Sequence, residues 1–341
     1  METAVAVFNS LINREAAMAY PSRYKLKDIN FFHLIILPVE NWCNFRCKYC
    51  YEKFGSKIEF IRADVLEGIR NLIRNNVRKL DELRISWFGG EPLLAYNIII
   101  DFMRFVNNLK DMYSFKLYSD ITTNAYGLTL NRFKELVEFG VNEYEITFDG
   151  DEDFHDKLRV RLDGGPTFRT IYSHLIQMHT TSLEFDVTIR IHLNKYNKES
   201  IKRLLEKLHN DIGNDYRFKI FIRGISSLLD KDNKSLEYED KNKLMRDLRE
   251  LRQIAGNMGF RVVNGTGGIC YASNPRSFVI KPDGSLAKCT VDLYTDRGII
   301  GKIRKDGTLE IDENKYNWWI RGIYKGDEKI LLCPLYGEDK R

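Results

Sequence analysis

The sequence predicts an α/β fold: a partial (β/α)6 barrel of the TIM type, followed by a small C-terminal α+β domain. Three observations carry that prediction. Strand-like runs alternate with helix-length amphipathic runs through residues 33–225, giving six β/α repeats. Parallel strands need long crossovers, usually helical, so the alternation implies a parallel sheet. Beyond Phe260 the repeat stops, and glycines, short strand-like runs and three further cysteines take over.

Each repeat is read from its apolar period. Residues 33–39 form a buried strand, and residues 63–77 a helix with Val65, Leu66, Ile69, Leu72 and Ile73 on one face. Leu83, Ile85 and Trp87 alternate as a strand, followed by a helix near 97–108. Strand 115–122 precedes helix 130–138, and strand 144–148 precedes helix 168–179. Residues 184–193 carry Phe185, Val187, Ile189, Ile191 and Leu193 at period two; helix 199–208 and strand 218–223 close the series. The expected division is an N-terminal extension (1–32), the barrel (33–228), a charged linker and helix (229–259, with Leu244, Leu248 and Leu251), and the C-terminal domain (260–341).

Composition narrows the function classes. A chain of 341 residues, 43% hydrophobic and 30% charged, reads as a soluble globular protein with a substantial core. The apolar run before the first cysteines is too short to span a bilayer. The N-terminus lacks a basic leader and reads as mature protein. Six cysteines without a leader point to a reducing cytoplasm, where thiols serve as metal ligands. The net charge of +5 is diluted over 53 basic and 48 acidic residues, so neither a membrane nor a nucleic acid is expected as partner.

The chemistry concentrates in Trp42-Cys43-Asn-Phe-Arg-Cys47-Lys-Tyr49-Cys50-Tyr51. A C-x3-C-x2-C loop supplies three thiolates, whereas a cubane [4Fe–4S] cluster has four irons; one iron stays open to a small chelating molecule. Core thiols fit poorly, because Asn44, Arg46 and Lys48 intervene. Structural zinc usually takes four ligands from two separated pairs, and no fourth ligand stands nearby. The remaining polar motifs fall at the C-terminal ends of the expected strands, where ligands of such barrels gather. Gly89-Gly90-Glu91 follows the second strand, Thr122-Thr123-Asn124 ends the third, Thr147-Phe-Asp149-Gly150 ends the fourth, and Arg190 and Asn194 lie at the end of the fifth.

Together these residues resemble the radical S-adenosylmethionine (SAM) superfamily over about residues 33–225. The resemblance implies that Cys43, Cys47 and Cys50 hold a [4Fe–4S] cluster whose open iron SAM chelates, with the aromatic Tyr49 fitting the family pattern. Gly89-Gly90-Glu91 looks like the motif for the SAM amino group, and Asn124 and Thr147 fall in the same cofactor site. The stretch Thr147-x-Asp149-Gly150…His155-Asp156-x-x-Arg159…Gly164-x-x-Thr167-Phe168 is similar to a pattern of peptide- and protein-modifying members. By that likeness Arg159 pairs with the SAM carboxylate and His155 orients the loop. Cys270-x13-Gly284-x4-Cys289 matches the opening of the auxiliary-cluster domain called SPASM, or twitch in its shorter form, and Cys333-Pro334 resembles its last cysteine. Where that ending usually carries three more cysteines, this chain has Ile320, Ile323 and Lys329. At most one auxiliary Fe–S cluster is therefore expected, on Cys270, Cys289 and Cys333.

The implied reaction is reductive cleavage of SAM to a 5′-deoxyadenosyl radical, which modifies a ribosomally made peptide or a protein side chain by cross-linking, epimerisation or oxidation. It needs a flavodoxin- or ferredoxin-type reductant. The extension before the first strand is too short for a peptide-recognition domain, which leaves leader binding to a separate protein or to another surface. Two rivals stand beside this reading: a twitch-type dehydrogenase of a small molecule, and a non-catalytic iron–sulfur scaffold. No residue is assigned as the proton acceptor.

Overall fold

The computed structural model describes residues 30–226, 234–265 and 268–336. The N-terminal extension up to residue 29 and the first residues of the charged linker lie outside the described residues. Six strands form the expected repeats: β1 (Phe31–Ile36), then, after the two-residue β2 (Val39–Glu40) and β3 (Glu59–Phe60), β4 (Glu82–Trp87), β5 (Lys116–Thr123), β6 (Glu143–Phe148), β7 (Asp186–Leu193) and β8 (Phe218–Gly224). The crossovers are α1 (Ala63–Asn76), α2 (Tyr96–Met112), α3 (Leu130–Glu138), the short α4 (Glu152–Leu158), α5 (Phe168–His179) and α6 (Lys198–Ile212). β1 and β4 through β8 stand side by side in chain order, every pair parallel. β1 ends at Ile36 rather than continuing through residue 39, because Pro38 has no N–H for the ladder.

The sheet does not close. After α7 (Lys241–Asn257), β9 (Arg261–Val262) adds in parallel beyond β8 at one edge. On the other side, β10 (Ser277–Ile280) pairs in parallel with β1, with His33 opposite Ser277 and Ile36 opposite Ile280. β11 (Ser285–Ala287), β12 (Ile299–Ile303) and β13 (Leu309–Ile311) extend the same sheet antiparallel. The C-terminal strands thus continue the sheet of the repeats. α8 (Glu313–Lys325) and α9 (Glu328–Leu332) end the described chain. The Lys281-Pro-Asp-Gly284 turn forms the expected hairpin, with Gly284 at φ +86°. Among the described residues, no helix is long and apolar enough to cross a membrane.

The two faces of the sheet differ in kind. Leu34, Ile36, Leu83, Ile85, Trp87, Ile121, Ile146, Val187, Ile189, Ile191, Ile220 and Ile222 are fully buried in one core with the helices. Each such side chain contributes about 1.5–3 kcal/mol on burial, so one face suffices to hold the fold. Strands of a parallel sheet normally read apolar on both faces. Here the other face carries His33, Arg84, Ser86, Asp120, Glu145, Arg190, His192 and Arg223 instead. Apart from Ile35, which packs in a small second core, this face is available for chemistry.

Candidate functional site

The cysteine loop leaves β2 and is strung along the segment that follows α4. Arg46 N–H donates to Val160 O (2.8 Å), Lys48 N–H to Leu158 O (2.9 Å), and Leu162 N–H to Asn44 O (2.8 Å). Arg46 closes the loop on itself, donating to the carbonyls of Cys43 (2.6 Å) and Phe45 (2.8 Å) while lying over Phe54. All six cysteines are free thiols. Burial pushes the Cys43 thiol well above its usual range, and the charge of Glu91 and then those of Cys47 and Cys50 add to the effect. The Cys43 thiol thus feels the other two cysteines of its loop. Phe45 N–H (3.3 Å) and Asn124 Nδ2 (3.7 Å) both donate to Cys43 Sγ. Such donors favour a thiolate once a metal has displaced the proton. Among the described residues no three His, Cys, Asp or Glu side chains converge on one metal ion. Three thiols on one loop suit an iron–sulfur cluster, which spreads its ligands over its corners more widely than a single ion does.

Gly89-Gly90-Glu91 serves the loop as well as any ligand. A Cβ on Gly90 would lie 1.8 Å from Trp42 O, and one on Gly89, at φ +94°, 2.4 Å from Val39 O. The close approach that glycine permits is to the backbone carrying Cys43, which the sequence does not disclose. Glu91 is buried, with Oε1 accepting from Leu93 N–H (2.9 Å) and Thr123 Oγ1 (2.6 Å), and Oε2 from Asn124 N–H (2.7 Å). It ties the end of β5 to the glycine turn. Asn124 Nδ2 also reaches Asn44 Oδ1 (2.8 Å). We expect Gly90→Ala to displace Trp42 and Cys43, at a cost of about 1–3 kcal/mol for the overpacked contact. A thermal melt paired with iron uptake after reconstitution checks it; wild-type iron uptake would show that the loop yields freely.

The motif after β6 splits into a frame and a working group. His155 is fully buried between Phe148 and Phe168, with Nε2 on Thr167 Oγ1 (3.1 Å), and Thr167 Oγ1 donates to Arg159 O (2.6 Å). Asp156 accepts from the N–H groups of Thr167 and Phe168, both at 2.8 Å. These contacts set the backbone of Arg159. Its guanidinium, itself buried, donates through Nη1 to Tyr49 Oη (3.0 Å), and Tyr49 donates to Asp149, whose oxygens lie 2.6 and 2.9 Å away. Arg190 Nε donates to His192 Nε2 (2.9 Å), which leaves the ring proton on Nδ1, 3.4 Å from Asp149 Oδ1. Burial works to raise the Asp149 pKa, but His192 and Arg159 hold it below the carboxylate range. Burial drives His192 the other way, down to about 4, so this ring stays neutral. Arg159 Nε and Asn194 Nδ2 in this region are buried with no hydrogen-bond partner among the described residues, as are the Nδ1 atoms of His155 and His192, the latter having only the 3.4 Å approach to Asp149. Thr147 stands opposite Arg190 in register.

Sequence reasoning brought Tyr49, Glu91, Asn124, Thr147 and Arg159 to this region, and it left the importance of Asp149 open. It passed over His192. The polar partners interleaved with the apolar period of β7 (Thr188, Arg190, His192) were the available signal.

The C-terminal cysteines flank the hairpin of β10 and β11. Cys270 N–H donates to Leu331 O (2.9 Å), which brings it to the end of α9 beside Cys333. Burial raises the Cys270 pKa, and the charge of Cys333 acts on it further; burial pushes Cys289 up to about 11, with Cys270 acting on it in turn. Tyr271 Oη meets Thr290 Oγ1 (2.8 Å) and accepts from Thr290 N–H (2.9 Å), so the residues after Cys270 and Cys289 are latched together. Ile320 and Ile323 are buried core residues of α8. Lys288 has no exposed surface; it donates to Asn274 O (2.5 Å) and Ser277 O (2.6 Å), and burial lowers its pKa to about 7.

Comparison with known proteins adds the following. The family model of the Radical SAM superfamily matches residues 37–208. The cysteine-type anaerobic sulfatase-maturating enzyme of Clostridium perfringens strain 13 is 23% identical over 336 residues, covering 89% of this chain and 86% of that protein. The GTP 3′,8-cyclase of Clostridium perfringens strain SM101 is 24% identical over 267 residues, covering 72% of this chain and 77% of that protein. Native anSMEcpe with bound AdoMet and Cp18Cys peptide superposes with a TM-score of 0.69 at 20% identity, over 87% of this chain and 84% of that one. The likeness is one of fold.

Proposed function

The chain belongs to the radical SAM superfamily, and from that premise we propose an enzyme that cleaves SAM reductively and modifies a peptide or protein side chain. One observation carries the reading. Three free thiols of one short loop lie along the segment that carries a buried arginine, whose Nε has no partner among the described residues. With its [4Fe–4S] cluster and SAM bound, such a site supplies a carbon radical that removes a hydrogen atom from an unactivated C–H bond. Cys43, Cys47 and Cys50 would hold the cluster. Arg159 offers Nε to the SAM carboxylate, a charge-assisted contact that a guanidinium makes well. Asp149 and Tyr49 fix that guanidinium in place, and the buried ring of Phe45 lies beneath it. Glu91 holds the Gly89-Gly90 turn against the loop and, with Asn124 and Thr147, borders the SAM site.

Protein substrates are supported by the relatives, among them a sulfatase-maturating enzyme and a peptide-bound structure. Cys270, Cys289 and Cys333 would hold one auxiliary cluster with a fourth iron open to a non-cysteine ligand. Three thiols in place of the usual larger set also favour a second reading, a twitch-type enzyme acting on a small molecule; the cyclase relative supports it. Anaerobic reconstitution with SAM and dithionite tests the proposal. Methionine and 5′-deoxyadenosine should form, and a mass change should appear in short peptides encoded beside the gene. SAM binding without cleavage would overturn it in favour of a scaffold.

A further inference from the structure

Arg223 occupies a position the mechanism above does not use. It lies at the C-terminal end of β8, directly opposite His192 in register, on the polar face of the sheet. In-register neighbours on adjacent parallel strands are about 4.8 Å apart and share a face. His192 in turn stands edge-on to Tyr49, ring centroids 4.9 Å apart, and Tyr49 precedes Cys50. One strand therefore separates Arg223 from the group beside the cysteine loop.

Its surroundings do not compensate its charge. The side chain of Arg223 makes no hydrogen bond or ion pair with any described residue. Glu145, the carboxylate acting on it, is already held by Arg190 at 2.7 Å. Arg190 is itself a cation, two positions before His192 on the same face, and His192 is neutral. Asp149 is committed to Tyr49 and His192. On the far side of the face, Asp120 and Glu143 both lie against Arg84, at 3.8 and 3.6 Å. Burial and the neighbouring Arg190 both disfavour the charged form of Arg223. A half-buried guanidinium with no partner is an energetic liability until an anion arrives.

We propose that Arg223, with Arg190 beside it, is the substrate-specificity site of this enzyme and binds a carboxylate on the target. In the peptide reading proposed above, on which this part rests, the carboxylate is an aspartate or glutamate side chain close to the modified residue. The SAM carboxylate has its own arginine in Arg159, so Arg223 is left for the second molecule. A guanidinium fork accepts a planar carboxylate in two parallel hydrogen bonds, which fixes orientation as well as affinity.

Anaerobically reconstituted enzyme with SAM, dialysed against a randomised heptapeptide library, provides the test, with glutarate and citrate as free-acid probes in a parallel arm. Wild type should retain peptides enriched in Asp and Glu. Arg223→Gln should lower that retention about thirtyfold or more, and Arg223→Lys should restore part of it. SAM affinity should not change, and Arg223→Gln should melt at the same temperature or higher, which a residue with a structural role would not allow. Unchanged acidic enrichment in Arg223→Gln overturns the inference, as does a lowered melting temperature together with weakened SAM binding. Arg223-dependent retention of glutarate or citrate without any peptide retention supports the anion site and overturns the peptide reading. Absence of Arg223-dependent retention in both arms overturns the site itself.

Discussion

Replacing Cys43, Cys47 and Cys50 together by alanine should remove about four irons and four acid-labile sulfides per chain after anaerobic reconstitution and abolish SAM cleavage. The effect is large because the loop has no substitute ligand. Asn44, Arg46 and Lys48 between the cysteines cannot replace a thiolate, and Glu91 is engaged by three protein donors. The matching triple variant of Cys270, Cys289 and Cys333 decides the second site. A further fall of about four irons would give it a cluster and make it the place to look for substrate. Unchanged iron would make those thiols packing groups and move the small-molecule reading forward. Fold integrity of both variants is read by far-UV circular dichroism, since neither triplet lies inside a strand of the main sheet.

Asp149→Asn should be the most damaging single change of nearly constant shape. The carboxylate has no exposed surface and is the anion that Tyr49, Arg159 and His192 are built around. Removing one member of a buried charge pair leaves the other uncompensated, a cost of about 3–5 kcal/mol. Urea unfolding of the unreconstituted protein should show that loss. Cys47 also acts on Arg159 and favours its charge. Thiolates held by a cluster stand in for part of the missing anion, so the penalty should shrink on reconstitution. Equal losses in both forms would place the partner of Arg159 elsewhere. SAM affinity should fall in either form, because Arg159 then lacks its fixed orientation.

The six repeats were legible because period two and period 3.6 are written directly in the apolar residues. Val65, Leu66, Ile69, Leu72 and Ile73 are all buried in α1 as read. Partner choice was not legible. Nothing in the run from Ser277 to Ile280 tells that it pairs with β1, because an apolar strand fits many edges and only tertiary geometry selects one. The cysteine loop was legible through residue type and spacing. The polar face was not, because charged residues alternating with apolar ones read as solvent-facing in any single strand. Only assembling β4 to β8 shows Arg84, Glu145, Arg190 and Arg223 converging on one surface. The partner of Gly90 was hidden for a similar reason: the atom that excludes a side chain there is Trp42 O, distant in sequence.

The parallel pairing of β10 with β1 has a consequence for how the molecule assembles. β1 is an interior strand, yet its second neighbour comes from near the end of the chain. Until Ser277–Ile280 has been synthesised, one edge of β1 stays open. Ile35 and Leu37, which pack with Val279, Ala287 and Leu293 in a second small core, stay uncovered with it. Contacts so remote in sequence form slowly, and an unpaired strand edge is a template for aggregation. Ribosomal output of the repeats therefore runs ahead of their completion, and chains cut short before β10 should be aggregation-prone rather than small independent barrels. The strand that closes this edge lies between Cys270 and Cys289, so the edge is covered in the same late event that brings in two of the second set of thiols.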